Sequence, residues 1–115
     1  MDKALYDKGM AMRRKVLGDE YVDRAVANTD DFNRKFQDLL NEFCWGAVWT
    51  RPGLDVKFRS LAVVSSLIAL GRTHELQIHF RGALNVGWTA DELREVCLQL
   101  SAYAGFPAAL DSLSV

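Results

Sequence analysis

The sequence predicts an all-α protein of six or seven helices. Three observations carry that expectation. No alternating apolar/polar segment is long enough to form a strand. Apolar residues recur at the three- and four-residue spacing of a single helix face. The only two prolines, Pro52 and Pro107, fall at element boundaries, where a missing backbone donor does no harm.

The first helix is expected over roughly 3–16, with Gly18 as its C-terminal cap. A short helix covers 20–27. Asn28, Thr29 and Asp30 then offer caps for a long helix over about 31–48, whose Phe32, Phe36, Leu39, Leu40 and Phe43 keep helical spacing. The stretch Trp49-Thr50-Arg51-Pro52-Gly53-Leu54-Asp55 is the clearest break, and Asp55 is placed to cap the next helix, to about Leu70. That helix is apolar almost all round from Leu61 onward, so it is expected at the centre of the core. Gly71 ends it. Thr73 is the expected cap of a helix running to Val86 and stopping at Gly87. Thr89 and Glu92 form a capping box for the following helix, which presents Leu93, Val96, Cys97, Leu100 and Tyr103. Gly105 closes it and Pro107 opens a last helical fragment.

At 115 residues the chain is expected to form one domain, 1–115. Its formal net charge of −1 gives no general field for nucleic acid, so anions must be caught by local arginines. The longest apolar run, Leu61 to Leu70, is ten residues with two serines, against the ~20 that span a bilayer. The N-terminus lacks an apolar signal region, and a cytoplasmic, non-membrane protein is expected. Cys44 and Cys97 form no C-x-x-C pair and read as small buried apolar residues. So small a domain leaves apolar surface for self-association to cover, with Trp45, Trp49 and Trp88 as candidates for that surface.

The chemistry concentrates on one helix. At 100° per residue, Arg72, Glu75 and His79 fall in one narrow stripe, bordered by the apolar Leu76, Phe80 and Ala83, while His74, Gln77 and Arg81 point away. A carboxylate one turn from an imidazole fixes its tautomer and supports its charged form. Acid–base chemistry and a plain surface ion pair both fit this spacing. Metal binding fits poorly: His74 and His79 are five residues apart, about 140° round the helix, and a Glu75–His79 pair lacks a third ligand. Ser60, Ser65 and Ser66 lie in an apolar helix without a nucleophile elbow and are expected to bond the backbone one turn back. Arg51 sits in the Pro-Gly turn. Arg59 precedes the apolar run, where its guanidinium would need an anion or an internal glutamate; Lys57 is expected to be solvated. Trp45 and Trp49 suit either a pocket wall or the core.

Taken together these residues resemble the carboxymuconolactone decarboxylase family over nearly the whole chain. The resemblance runs through Gly18-Asp19-Glu20-Tyr21-Val22-Asp23, Cys44-Trp45-Gly46, Trp49 to Asp55, Arg59-Ser60-Leu61, Glu75-Leu76 with His79, Arg81 to Asn85, and Tyr103-Ala104-Gly105-Phe106-Pro107-Ala108-Ala109. Phe58 and Val86 depart from the usual threonine and asparagine, and the chain stops at Val115, before the family's last helix normally finishes. The wider superfamily includes alkylhydroperoxidases whose C-x-x-C precedes a histidine matching His79; Arg72 and Glu75 occupy those two cysteine positions, which removes dithiol chemistry.

The resemblance implies an alkylhydroperoxidase-like (AhpD-like) helical fold, a trimeric or hexameric homo-oligomer, and decarboxylation of 4-carboxymuconolactone, a small dicarboxylate lactone of aromatic catabolism, with no cofactor. On that reading His79, Glu75 and Arg72 carry catalysis, and Arg51, Arg59, Trp45 and Trp49 bind substrate. Two other readings stand beside it: an oxidoreductase or other enzyme on a small organic acid, and a non-catalytic helical oligomer that binds a small ligand.

Overall fold

The computed structural model describes residues 1–115. Every regular element is helical: α1 (Lys3–Leu17), α2 (Asp19–Ala27), α3 (Arg34–Leu39) continuing into a π-helical segment (Leu40–Val48), α4 (Val56–Leu70), α5 (Thr73–Asn85), α6 (Ala90–Ala104) and α7 (Phe106–Leu113). They form two compact units, Met1–Val56 and Lys57–Val115. No helix is long and apolar enough to cross a membrane. The four glycines expected to stop helices, Gly18, Gly71, Gly87 and Gly105, all adopt positive φ.

In the first unit α1 packs against the π-helical segment, and the contact is made by backbone. A Cβ on Gly9 would overlap the Asn41 carbonyl oxygen and stand 2.6 Å from the Gly46 nitrogen; one on Gly46 would overlap the Leu5 carbonyl oxygen. Only glycine permits this approach. Asp2 caps α1 by accepting from Leu5 N at 3.1 Å, and its own N–H donates to Glu42 Oε1 at 3.1 Å. Arg14 ties α1 to α2 through Asp19 at 3.2 Å and Asp23 at 2.8 Å. Val16, Leu17, Val22, Trp45 and Trp49 are buried.

The long helix expected over 31–48 is not a continuous α-helix. Asp30 Oδ1 accepts from Phe32 N and Asn33 N, making a capped turn, and α3 starts only at Arg34. From Leu40 the backbone widens, and Trp49 N bonds Cys44 O five residues back. The segment buries Asn41, Trp45 and Gly46, with Trp49 beyond its end also buried. The aromatic stripe stays outside: Phe32 is 99% exposed and Phe36 71%, with Leu39 and Phe43 also exposed. Trp45 and Trp49 are therefore not association surface. They stack on each other at 4.7 Å, 19° from parallel.

The second unit has its core where three helices meet. Val64 and Ile68 of α4, Leu76 and Ala83 of α5, and Leu93 and Cys97 of α6 form one buried cluster, flanked by Leu67, Phe80, Trp88, Val96 and Leu100. The central role expected for the helix ending at Leu70 holds for one stripe only: Ser60, Val64 and Ile68 are buried, whereas Leu70 is exposed. Four-residue spacing puts those three on one face. Thr89 and Glu92 make the expected capping box, with Glu92 N on Thr89 Oγ1 at 3.1 Å and Thr89 N on Glu92 Oε1 at 3.0 Å. Lys57 is not simply solvated. Its carbonyl accepts from Trp88 Nε1 at 2.8 Å and its Nζ lies 4.5 Å from the Trp88 ring centre.

Candidate functional site

The turn between α4 and α5 positions the candidate acid–base residues. Gly71 N bonds Ile68 O at 3.2 Å and Arg72 N bonds Leu67 O at 3.0 Å, so the chain leaves α4 and enters α5 within two residues. Arg72 thereby becomes the N-cap of α5, its carbonyl accepting from Leu76 N at 2.9 Å. Thr73 is the first residue inside the helix, and no side chain caps it. Glu75 lies in the first turn, where a negative charge complements the helix dipole. His79 follows one turn on, between the buried Leu76 and Ala83.

His79 is half-buried and its Nδ1 is shut off from solvent. Burial lowers its pKa below 6.5, and the nearby Glu75 carboxylate opposes that fall. The imidazole is accordingly mainly neutral at pH 7, able to donate one N–H and accept at its other nitrogen. Arg59 of α4 is half-buried; Glu75 and Arg72 are exposed. These four residues belong to the second unit. Arg51, exposed in the turn after Trp49, and the stacked Trp45 and Trp49 belong to the first. Phe80, the neighbour of His79, lines a cavity of about 310 Å³ with Leu84, Leu93, Arg94 and Cys97; His79 is not on its wall.

Ser60 carries a signal that spacing alone did not give. Ser66 bonds Ala62 O at 2.8 Å, as expected of a helical serine. Ser60 does not: it is fully buried and its Oγ has no hydrogen-bond partner. An unsatisfied hydroxyl in a core is uncommon. Its place in the 60/64/68 stripe was readable from the sequence, but its unmet valence was not. Both thiols are free, Cys97 buried and Cys44 half-buried, and burial raises the pKa of each.

A helical protein that sets a half-buried histidine one turn after a carboxylate, with arginine and glutamate where a redox enzyme needs two thiols, falls in the non-thiol branch of the alkylhydroperoxidase-like proteins. The family model described as "Carboxymuconolactone decarboxylase family" matches residues 34–115, a span that holds all seven candidate residues. The chain belongs to that family and is a decarboxylase. It is 47% identical to a 4-carboxymuconolactone decarboxylase of Acinetobacter baylyi, over 93% of this chain and 80% of that protein. It is 42% identical to a nitrosuccinic acid decarboxylase of Metarhizium robertsii, over 100% of this chain and 80% of that protein.

Proposed function

We propose that the protein converts 4-carboxymuconolactone to β-ketoadipate enol-lactone and CO₂ without a cofactor. The carbon–carbon bond to the ring carboxylate breaks, and its electron pair moves through the ring double bond into the lactone carbonyl. The lactone is its own electron sink. The resulting dienolate is protonated alpha to that carbonyl with a proton drawn from solvent. The protein has to bind two carboxylates, hold the developing oxyanion and deliver one proton.

The half-buried, mainly neutral His79 beside Glu75 carries this reading. A neutral imidazole N–H in an apolar setting is suited to an oxyanion, where a fixed donor is worth more than in water. Glu75 orients the ring. We assign the carboxylates to Arg51 and Arg59, whose forked donors suit them, and keep Trp45 and Trp49 as substrate-binding candidates. Arg72 is the further cation available to the oxyanion. His79→Ala is expected to lower CO₂ release on the order of 10²–10⁴-fold while leaving the helical circular-dichroism spectrum intact. Turnover near wild type in that variant would remove His79 from the mechanism.

The relative that acts on nitrosuccinic acid supports a second choice of substrate within the same chemistry. Nitrosuccinic acid is also a dicarboxylate, and its nitro group also takes the electron pair onto oxygen. Side-by-side assay of the two acids separates the choices. The lactone is expected to turn over with the higher kcat/KM, and a preference for nitrosuccinate would reassign the substrate but not the oxyanion role of His79.

We further propose a homo-oligomer, a trimer or hexamer, in the cytoplasm. The exposed Phe32, Phe36, Leu39 and Phe43 support association, since so continuous an apolar stripe is unfavourable in water. The two free thiols are in keeping with a reducing compartment.

A further inference from the structure

The first unit holds a buried cation that the decarboxylation reading does not use. Arg13 of α1 is 4% exposed. Its Nη1 donates to Gln37 Oε1 at 3.2 Å and to Asn41 Oδ1 at 3.0 Å. Both acceptors are neutral amides. Nε is buried with no hydrogen-bond partner, and Arg13 takes part in no ion pair. The adjacent Arg14, closer to solvent, has two carboxylates, Asp19 and Asp23. The buried guanidinium thus lacks the counter-charge that the more exposed one has, the reverse of what desolvation calls for.

Arg13 lines a cavity of about 130 Å³ together with Tyr6, Arg34, Gln37, Asp38 and Asn41. That is several times the ~30 Å³ of a water molecule in the liquid. Its lining carries two arginines and one acid. Arg34 stands 3.7 Å from the exposed Asp31, a long contact, and Asp38 forms no ion pair. The wall offers more donors than its single carboxylate can satisfy.

We infer that this cavity binds a small carboxylate, from formate to propionate in size, whose oxygens accept from the Arg13 guanidinium. Tyr6 and Arg34 supply the further donors on the wall. Asp38 on the same wall repels the ligand's negative charge, so removing its charge tightens binding. The site is independent of the decarboxylase reading, because none of its residues is among those assigned to catalysis or substrate.

The test is a titration of the full chain, ¹⁵N-labelled, with sodium acetate at constant ionic strength. The arginine Nε–Hε cross-peaks report Arg13 separately from Arg51, Arg59 and Arg72; triple-resonance correlation assigns Arg13 without needing a variant to fold. The Arg13 peak is expected to shift saturably with acetate and not with chloride. In Asp38→Asn half-saturation is expected at about threefold lower acetate, the effect of one like charge removed at close range. An Arg13 peak that acetate leaves in place, or one that moves equally with chloride, overturns the inference. So does saturable movement confined to the other arginines.

Discussion

His79 is the residue on which the chemistry turns, and its burial has a consequence that can be measured apart from catalysis. Its folded pKa lies below 6.5 because burial disfavours the cation. The unfolded chain therefore binds this proton more readily than the folded one. The contribution to stability is complete above the unfolded value and is lost as the pH falls through 6.5 toward the folded value. Urea unfolding at about pH 7.5 and 5.5 is expected to show a smaller loss of stability in His79→Gln than in wild type; equal losses would mean the imidazole is solvated. Arg51 makes a different prediction. Arg51→Ala is expected to raise KM on the order of tenfold or more with little change in kcat, as loss of a charged contact to bound substrate does. An unchanged KM would take Arg51 out of the site. Glu75 and His79, one turn apart in α5, were legible because helical spacing is arithmetic; Arg72 does not share that spacing, because it is the N-cap, with a non-helical ψ of 73°. What spacing cannot supply is solvation. It did not reveal that Ser60 is sealed without a partner, or that Arg13 is buried among amides.

The elements were mostly legible, because their ends are written in local chemistry. Gly18, Gly71, Gly87 and Gly105 take positive φ, and Thr89 with Glu92 closes a capping box, as their types and spacing indicate. The failure lies over 31–48. Its apolar residues keep α-helical spacing, yet the backbone is a capped turn, a short α-helix and a π-helical segment. Gly9 and Gly46, 37 residues apart in the chain, allow α1 to touch this segment, and that long-range contact is invisible to a local pattern. Gly46→Ala is expected to cost about 1–3 kcal/mol or more, because its Cβ would meet the Leu5 carbonyl and backbone cannot move aside cheaply. Gly53 is the control. Nothing lies within 4 Å of a Cβ there, and Gly53→Ala is expected to be neutral or stabilising by up to about 1 kcal/mol. Equal effects from the two substitutions in thermal melts would contradict the close packing of α1 on the π-helical segment.

For the whole molecule, composition and the missing C-x-x-C narrowed the class, and the residues from Gly18 to Ala109 pointed to the family whose model matches residues 34–115. Of the three tryptophans expected at an association surface, Trp45, Trp49 and Trp88, the first two are buried, while Phe32, Phe36, Leu39 and Phe43 are exposed. Phe36→Asp is expected to shift the protein to a smaller species in sedimentation while preserving helicity, and an unchanged mass would move the interface elsewhere. The most direct measurement is CO₂ release from 4-carboxymuconolactone, followed with the lactone's ultraviolet absorbance, for purified wild type and His79→Ala without added metal or cofactor. Stoichiometric CO₂ and enol-lactone from wild type, with the variant folded and slower on the order of 10²-fold or more, is the predicted result. A folded wild-type protein that leaves the lactone untouched, or a variant that matches it, would contradict the assignment.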